Sequence, residues 1–246
     1  MRIGIIGAGN IGGTLAGKFV AAGHEVKLAA SKGPESIREK AGQIGATAVA
    51  VEDTVKDVDV IILSVPFAKI RDVAGLFADV PAGVTVIDTS NYYPKRDGRV
   101  AEVDQGKVES VWSSEQLGRP VIKAFNALTA GTLAKKGTPP GSPSRLAIPV
   151  AGDDKAGKEL AQKLVDEAGF DALDAGALAD SWRQQPGNPA YCTELSKEAL
   201  VKALAAADRT GAPRNRDIVI EEVMQRDQPP SNDELVKRNR EITGLG

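Results

Sequence analysis

Three closely spaced glycines near the start of the chain constrain its fold more than any other sequence feature. The segment Gly7-Ala8-Gly9-Asn10-Ile11-Gly12 directly follows the short apolar run Arg2–Ile6. Beyond it, apolar residues recur at intervals of three or four, which is the spacing of one helical face. These residues are Ile11, Leu15, Phe19 and Ala22. A strand, a glycine-rich turn and an amphipathic helix in this order predict the first unit of a sheet with helical crossovers.

The same alternation of short apolar runs and helical patterns continues through most of the chain. It predicts an α/β fold of Rossmann type, with a doubly wound, mostly parallel sheet and a small helical C-terminal extension. We expect residues 1–180 to form the sheet domain and residues 181–246 to form the C-terminal helical segment and tail. The expected strands are Arg2–Ile6, Glu25–Ala29, Thr47–Val51, Val58–Leu63, Val84–Asp88, Val121–Phe125, Leu146–Val150 and Phe170–Leu173.

Two segments interrupt this alternation. Gly and Pro are frequent between Lys135 and Ser144, a composition typical of an exposed loop. From Arg209 onward the chain mixes Pro, Arg, Asp and Asn with a single apolar cluster, Ile218-Val219-Ile220-Val223. We expect this tail to wrap a neighbour or a second subunit, where it completes a ligand pocket or a dimer contact.

Each glycine of the first segment has a distinct physical role in binding phosphate. Gly7 permits the tight turn, Gly9 lets the backbone approach a pyrophosphate, and Gly12 lets helix and strand pack closely. Backbone amides at the start of the helix then face the phosphates. The sequence therefore predicts a dinucleotide site that includes Gly7, Gly9, Asn10, Ile11 and Gly12.

The end of the second expected strand indicates which dinucleotide binds. A site for NAD usually places Asp or Glu there to accept from the ribose 2′-hydroxyl, whereas a 2′-phosphate needs neutral donors and a cation. The stretch reads Leu28-Ala29-Ala30-Ser31-Lys32-Gly33 and contains no carboxylate. We therefore expect NADP(H), with its 2′-phosphate bound by Ser31 and Lys32.

Composition excludes several classes of function. The chain has 31 Lys and Arg against 33 Asp and Glu, a balance that argues against nucleic acid as a partner. His24 and Cys192 are the only residues of their types, too few for a zinc site or a disulfide. We expect no bound metal. The longest apolar run is too short for a membrane helix. The apolar segment at the N-terminus is too short for the hydrophobic region of a signal peptide, so we expect a cytoplasmic protein away from membranes.

Ligands of open parallel sheets bind beyond the carboxyl ends of the strands. Three loops qualify, and their candidate binding residues are Ser64, Val65, Pro66, Asn91 and Asn126. The two asparagines are consistent with bonds to a nicotinamide or an acceptor and equally with local Asx turns.

Other polar and aromatic residues have less specific patterns. Tyr92 and Tyr93 are consistent with stacking on a flat acceptor or donating a proton to it, and Trp182 and Tyr191 are consistent with covering the pocket. All four are equally consistent with simple packing. We expect Lys123 to pair with a carboxylate and His24 to be structural. The sequence does not identify a catalytic residue.

The chain resembles the F-420-dependent NADP oxidoreductases, which pass hydride between NADPH and a deazaflavin coenzyme. The resemblance runs from Met1 to about Tyr191. It also extends to the cytosolic reductase domain of the six-transmembrane metalloreductases. The motifs that carry it are Gly7-Ala8-Gly9-Asn10-Ile11-Gly12, Ser31-Lys32-Gly33-Pro34-Glu35, Lys123-Ala124-Phe125-Asn126 and Asp174-Ala175-Gly176-Ala177-Leu178. The family implies a Ser–Arg pair for the 2′-phosphate, and this chain has Lys32 where Arg is usual.

With no strongly placed base, a redox step carried by cofactors fits the sequence best. The leading hypothesis is an NADPH-dependent oxidoreductase that transfers hydride between NADP(H) and a deazaflavin, a flavin or another small planar acceptor. The alternatives are reduction of a small carbonyl or imine, and a non-catalytic NADP-binding sensor. We expect a homodimer.

Overall fold

The computed structural model describes residues 1–245 and contains a six-stranded parallel sheet. The strand order is β3-β2-β1-β4-β5-β6, and a separate parallel pair is formed by β7 and β8. The strands are β1 (Arg2–Ile6), β2 (Glu25–Ala29), β3 (Thr47–Ala48), β4 (Val60–Leu63), β5 (Thr85–Asp88), β6 (Ile122–Lys123), β7 (Ala147–Val150) and β8 (Asp171–Asp174). Successive crossovers run outward from β1 to one edge of the sheet and then from β4 to the other edge. The neighbouring strands β1 and β4 therefore form a crevice at their carboxyl ends.

Helices cover both faces of this sheet, as expected for a doubly wound fold. They are α1 (Asn10–Ala21), α2 (Arg38–Gln43), α3 (Ile70–Val73), α4 (Pro94–Asp97), α5 (Ala101–Asp104), α6 (Glu109–Leu117), α7 (Ala130–Lys135), α8 (Lys155–Glu167), α9 (Lys197–Ala205), α10 (Ala212–Met224) and α11 (Asn232–Ile242). Two apolar clusters fill the space on the two sides of the sheet. One includes Leu15 and Phe19 of α1, and the other includes Phe67 and Trp112, whose rings stack at 4.6 Å.

The predicted fold class is confirmed, and most strand bounds agree with the sequence pattern. β4, β5 and β7 begin one or two residues later than expected, and two strands, the third and the sixth, are each three residues shorter for local reasons. The third ends at Ala48 because Val51 begins a short 3-10 helix, Val51–Asp53. The sixth ends at Lys123, and Phe125 has a φ of +60°, which is incompatible with a continuing strand. The division of the chain after residue 180 stays a prediction.

The tail after Arg209 forms two helices that fold back onto the same chain. Gly187 permits this contact, since a Cβ there would lie 2.0 Å from the carbonyl oxygen of Ala212 at the start of α10. Gly131 does the same for α11, because its Cβ would lie 2.6 Å from Oδ1 of Asn232. The close approach of α10 and α11 to the rest of the chain therefore depends on two residues without side chains.

Within residues 1–245, no helix is both long and apolar enough to cross a bilayer.

Candidate functional site

The glycine turn between β1 and α1 contains two glycines that the protein itself requires. Gly7 has a φ of +111°, and a Cβ there would lie 2.1 Å from the carbonyl oxygen of Ser64. A Cβ on Gly12 would lie 1.9 Å from the carbonyl oxygen of Gly7. Both positions are thus closed to larger residues by contacts within the fold.

Gly9 differs from both. It is exposed at the N-terminus of α1, and a Cβ built on it would meet no atom within 4 Å. No contact in the described chain requires a glycine there. The open space lies in front of backbone amides that a helix leaves without partners and beside the positive end of its dipole. A glycine at this position leaves that space open to an anionic ligand.

Ser31 and Lys32 lie in an exposed turn after β2, which is closed by a 3.0 Å bond from Gly33 N to Ala30 O. Neither side chain has a hydrogen-bond or ion-pair partner among residues 1–245, so both are available to a ligand beside the first crossover. Sequence reasoning missed a second cation here. Nζ of Lys40, on α2, donates to the carbonyl oxygen of Ala8 at 3.0 Å and therefore lies directly on the glycine turn.

A cavity of about 450 Å³ extends from the glycine turn along the carboxyl ends of β4, β5 and β6. Helices α10 and α11 cover it, and we refer to it as the roofed cavity. Its volume lies within the range of small-molecule sites, roughly 300–1,000 Å³. The predicted binding residues that line it are Gly9, Asn10, Ile11, Ser64, Val65, Pro66, Asn91 and Asn126. Gly7 and Gly12 support the turn from behind, and Ser31 and Lys32 lie outside the cavity.

Asn91 and Asn126 bond to each other across two loops. Nδ2 of Asn91 donates to Asn126 O, and Nδ2 of Asn126 donates to Asn91 Oδ1, both at 3.0 Å. Asn126 Oδ1 also accepts from Gln184 Nε2 at 2.8 Å. These bonds hold the loops after β5 and β6 together. The interpretation of the two asparagines as local Asx turns is wrong, because their partners lie on distant segments.

A fully buried ion pair lies under the same loops. Nζ of Lys123 is 3.0 Å from Oδ2 of Asp88, and it also donates to the carbonyl oxygen of Ser90. Oδ1 of Asp88 accepts from the backbone amide of Ser90 at 2.8 Å. The predicted pairing of Lys123 with a carboxylate is confirmed. Both charged groups fix the loop backbone, which sets the position of Ser90 and Asn91 in the cavity wall.

Ser90 is a lining residue that sequence reasoning missed. It is buried in the cavity wall, and its Oγ has no hydrogen-bond partner within the described chain. A buried hydroxyl without a partner loses free energy relative to one in water. A polar ligand in the cavity would restore that bond.

Two tyrosines line the roofed cavity and contact each other. The hydroxyl oxygens of Tyr93 and Tyr191 are 2.6 Å apart. Burial raises the pKa of both phenols well above their usual value, so each keeps its proton at neutral pH. Cys192 lies beside them, and burial raises the pKa of its thiol to about 12, which leaves it protonated and unreactive.

Of the two alternatives for Trp182, covering a ligand and simple packing, the structure agrees with packing. Trp182 lies outside the roofed cavity, between the guanidinium groups of Arg183 and Arg209, whose carbons are 4.9 Å and 5.6 Å from the ring centre. Arg209 comes from the tail, so this contact could not be anticipated from nearby sequence. The turn at Pro186 and Gly187, which follows Trp182 in the sequence, does line the cavity.

Two arginines complete the cavity wall, and sequence reasoning identified neither. Arg96, on α4, bonds to both carboxylate oxygens of Asp97 at 2.8 Å and lies over the Tyr93 ring. Arg216, on α10, enters from the roof, and its side chain is 10% exposed. No local motif surrounds Arg216, so only the packing of the tail shows its place.

His24 lies away from the cavity and contacts the start of the chain. Its Nδ1 is 3.2 Å from the amino group of Met1, and its Nε2 is 2.7 Å from Oε2 of Glu167. The predicted structural role of His24 agrees with these contacts. In the part of the chain that the structure describes, no three His, Cys, Asp or Glu side chains form a group suited to a metal ion.

Sequence comparison relates the chain to one protein family and to one individual protein. Residues 2–92 match the sequence model of a family described as NADP oxidoreductase, coenzyme F420-dependent. The chain is also 31% identical over 124 residues to the protein YjhV of Escherichia coli strain K12. That alignment covers 50% of this chain and 83% of YjhV.

Solved structures share this fold. The uncharacterised protein SMa0349 of Sinorhizobium meliloti is 32% identical with a TM-score of 0.69, over 80% of this chain and 95% of that one. A protein of Arthrobacter sp. FB24, provisionally described as an F420-dependent NADP reductase, is 20% identical with a TM-score of 0.59. That likeness covers 74% of this chain and 87% of the other. At 20% identity it demonstrates the common fold alone.

Proposed function

This chain belongs to the family of coenzyme F420-dependent NADP oxidoreductases, and on that premise we propose that it transfers hydride between NADP(H) and a small planar acceptor, a deazaflavin or a flavin. Membership makes it an NADP-linked oxidoreductase. The identity of the acceptor and the residues that bind both molecules are our proposal.

The open space at Gly9 carries the proposal. It lies at the N-terminus of α1 and leads directly into the roofed cavity, so one elongated ligand fits both. The pyrophosphate would bind at Gly9, Asn10 and Ile11, where amides and helix dipole favour negative charge. The nicotinamide half would then extend into the cavity beside Ser64–Pro66 and Asn91.

Charge near the glycine turn supports NADP(H) over NAD(H). Ser31 and Lys32 are free of protein partners at the end of β2, the place where the 2′-position of the adenosine ribose binds in this fold. Lys40 adds a second positive charge on the turn itself. A lysine recognises phosphate as a point charge, whereas an arginine makes a bidentate contact. Two lysines near the phosphate would compensate for the bidentate contact that a single arginine would provide.

The bound nicotinamide supplies the hydride, and the chain's own residues align the reactants and exclude water. Four apolar side chains of the roof face the cavity: Val219, Ile220, Val223 and Leu235. They provide a surface for a flat ring and keep bulk water from the reacting atoms. The loops that Lys123 and Asp88 hold in place form the opposite wall, which gives the site a rigid base.

Reduction of a small carbonyl or imine is the second candidate, and one observation favours it. The Tyr93 and Tyr191 hydroxyls lie in the cavity and stay protonated, so either can hold a proton where a reduced oxygen or nitrogen would need one. A planar acceptor with a ring nitrogen would use the same proton.

Loss of NADPH absorbance tests the function directly when a series of acceptors is compared. We expect turnover with a deazaflavin or with riboflavin and flavin mononucleotide (FMN), and little with simple aldehydes or imines. Turnover with only the carbonyl or imine compounds would favour the second candidate. Tight NADPH binding without turnover by any acceptor would overturn the proposal in favour of a non-catalytic sensor.

The homodimer and the cytoplasmic location expected from the sequence stay predictions. Sedimentation equilibrium of the purified chain tests the first, with twice the 25.7 kDa chain mass as the expected result.

A further inference from the structure

We propose that Glu109 is a positioning residue for the hydride transfer, because its carboxylate ties together two segments of the wall of the roofed cavity. Protonation of this group would loosen one of the two ties, so the reaction would depend on the ionised form. This inference rests on the proposed function, since the wall is where the nicotinamide and the acceptor would bind. Glu109 itself does not line the roofed cavity.

Glu109 is the first residue of α6 and is 1% exposed. Its Oε2 accepts from the backbone amide of Tyr92 at 3.0 Å, and its Oε1 accepts from Nε2 of Gln185 at 2.9 Å. The neighbours of these two partners line the roofed cavity, namely Asn91 and Tyr93 on one segment and Pro186 and Gly187 on the other. One carboxylate therefore holds two wall segments that are far apart in the sequence.

A reciprocal pair of bonds determines which way the Gln185 amide points. The backbone N–H of Glu109 donates to Gln185 Oε1 at 3.4 Å, so Nε2 of Gln185 faces the carboxyl group. Both carboxyl oxygens thus accept from N–H donors. Protonation removes the charge and turns one oxygen into a hydroxyl, which weakens the bond that this oxygen accepts. The arrangement suits the carboxylate and not the carboxylic acid.

Ionisation of Glu109 falls within the physiological range of pH. Burial is the main cause and raises the pKa of its carboxyl group to about 7, while Lys123, the Tyr92 amide, Arg216 and Gln185 offset part of the shift. The two cations act on it from different elements, Lys123 from β6 and Arg216 from α10. The charged form is costly to bury, but only this form makes both carboxylate bonds at full strength.

A second cavity, of about 70 Å³, gives the buried carboxyl group access to water. Glu109 and Gln185 line this cavity, and so does Arg209, which is exposed at the surface. A proton can therefore move between solvent and Glu109 without passing through the roofed cavity.

The other titratable groups around Glu109 are two phenols and one lysine. Burial raises the pKa of both Tyr92 and Tyr93 above the usual value, so both keep their protons at neutral pH. Lys107, in the wall of the second cavity, is paired with Glu115 at 2.6 Å. A change in the wall near pH 7 is therefore assigned to Glu109.

The pH dependence of acceptor kinetics tests the inference, with NADPH saturating so that ionisation of its own phosphate does not enter. In the natural protein, kcat/KM for the active acceptor should decrease by about 10- to 100-fold as the pH falls from about 9 to about 5, because the wall loses alignment. Glu109→Gln should have a flat profile at the low-pH level, since an amide accepts only one of the two N–H bonds.

Two variants are controls for this profile. Glu52→Gln removes an exposed glutamate that lines neither cavity, and its profile should match that of the natural protein. His24→Gln should also keep the decline, which would exclude the only histidine as its cause. A decline that persists in Glu109→Gln, or natural activity of that variant at high pH, would overturn the inference while the proposed function stands.

Gln185→Met provides a second test if Glu109→Gln does not fold. It removes one tie, retains the carboxylate and changes the side-chain volume little. Its kcat/KM at high pH should approach the low-pH level of the natural protein. Natural activity in this variant would contradict a positioning role for the tie to Gln185.

Amide signals in nuclear magnetic resonance spectra test the inference even if no acceptor turns over. In the natural protein, the Tyr92 amide should titrate with a midpoint near pH 7, and the amides of Asn91, Tyr93 and Gly187 should shift with the same midpoint. In Glu109→Gln these four signals should not titrate. A Tyr92 signal that shifts alone, or no titration in the natural protein, would contradict the positioning role.

Discussion

The glycine turn and the roofed cavity are adjacent, yet their residues are distributed very differently along the chain. The turn is built from Gly7 to Gly12, consecutive residues whose roles follow from local backbone geometry. The cavity joins residues as distant as Gly9 and Asn239. The proposed cofactor site is therefore contained in one short motif, whereas the proposed acceptor site depends on how the whole chain packs.

The largest expected effect concerns the glycine turn. Gly9→Val should abolish NADPH binding in a folded protein, because the side chain would fill space that belongs to the ligand. Overpacking of this kind costs about 1–3 kcal/mol within a core, and a rigid pyrophosphate should place the effect at about 100-fold or more in Kd. Calorimetric titration with NADPH measures it.

Gly42→Val is the matched control for that variant. Gly42 lies exposed on α2, and a Cβ there also meets no atom within 4 Å. Its NADPH affinity should equal that of the natural protein. Undiminished affinity in Gly9→Val would show that the turn binds no dinucleotide.

The pH dependence of the free energy of unfolding tests the packing behind the roofed cavity. Burial raises the pKa of Glu109 to about 7 from 4.5. The protonated form is therefore favoured by folding, and its contribution to stability is complete below pH 4.5 and is lost as the pH rises through 7. The loss amounts to about 3 kcal/mol at about 1.4 kcal/mol per pKa unit.

Denaturant unfolding of Glu109→Gln at several pH values measures this contribution. The free energy of unfolding of the natural protein, relative to the variant, should fall between pH 4.5 and pH 8. Glu52→Gln, at an exposed position with no ion-pair partner among residues 1–245, is the control for the substitution itself. A constant difference between Glu109→Gln and the natural protein would mean that Glu109 is ionised throughout this range.

Cofactor selectivity is the next largest effect and tests the turn after β2. Lys32→Ala should weaken NADPH relative to NADH by about 10- to 100-fold, since a charge-assisted hydrogen bond contributes about 1.5–3 kcal/mol. Some preference should survive through Ser31 and Lys40. The ratio of the two dissociation constants is the measurement, and an unchanged ratio would leave Lys32 without a role.

The smallest expected effect distinguishes Tyr191 from Trp182, two residues for which the sequence supports the same interpretations. Tyr191→Ala should lower kcat or raise the acceptor KM by several-fold to about tenfold, because an aromatic contact contributes about 0.5–1.5 kcal/mol beyond its buried area. Trp182→Ala should leave acceptor kinetics unchanged, because Trp182 lies outside the roofed cavity. The reverse result would move the acceptor site toward Trp182.

Sequence reasoning succeeded where structure depends on neighbouring residues. β1, β2 and α1 follow from periodicity and turn chemistry, and so do the tight turn at Gly7 and the close packing at Gly12. It failed where a residue is placed by a distant segment. The sequence leaves open whether Trp182 covers a ligand or packs, and in the structure Trp182 contacts Arg209 of the tail and lies outside the roofed cavity. Arg216 has no motif around it, and only the docking of α10 at Gly187 brings it to the cavity.

The structure of the protein crystallised with NADP⁺ tests the central claim most directly. We predict the pyrophosphate at Gly9 and the α1 N-terminus, and the nicotinamide ring in the roofed cavity beside Ser64–Pro66 and Asn91. Open volume should remain between that ring and Arg216, where the acceptor would bind. A nicotinamide directed away from the cavity, or a dinucleotide bound without contact to Gly9, would contradict the account.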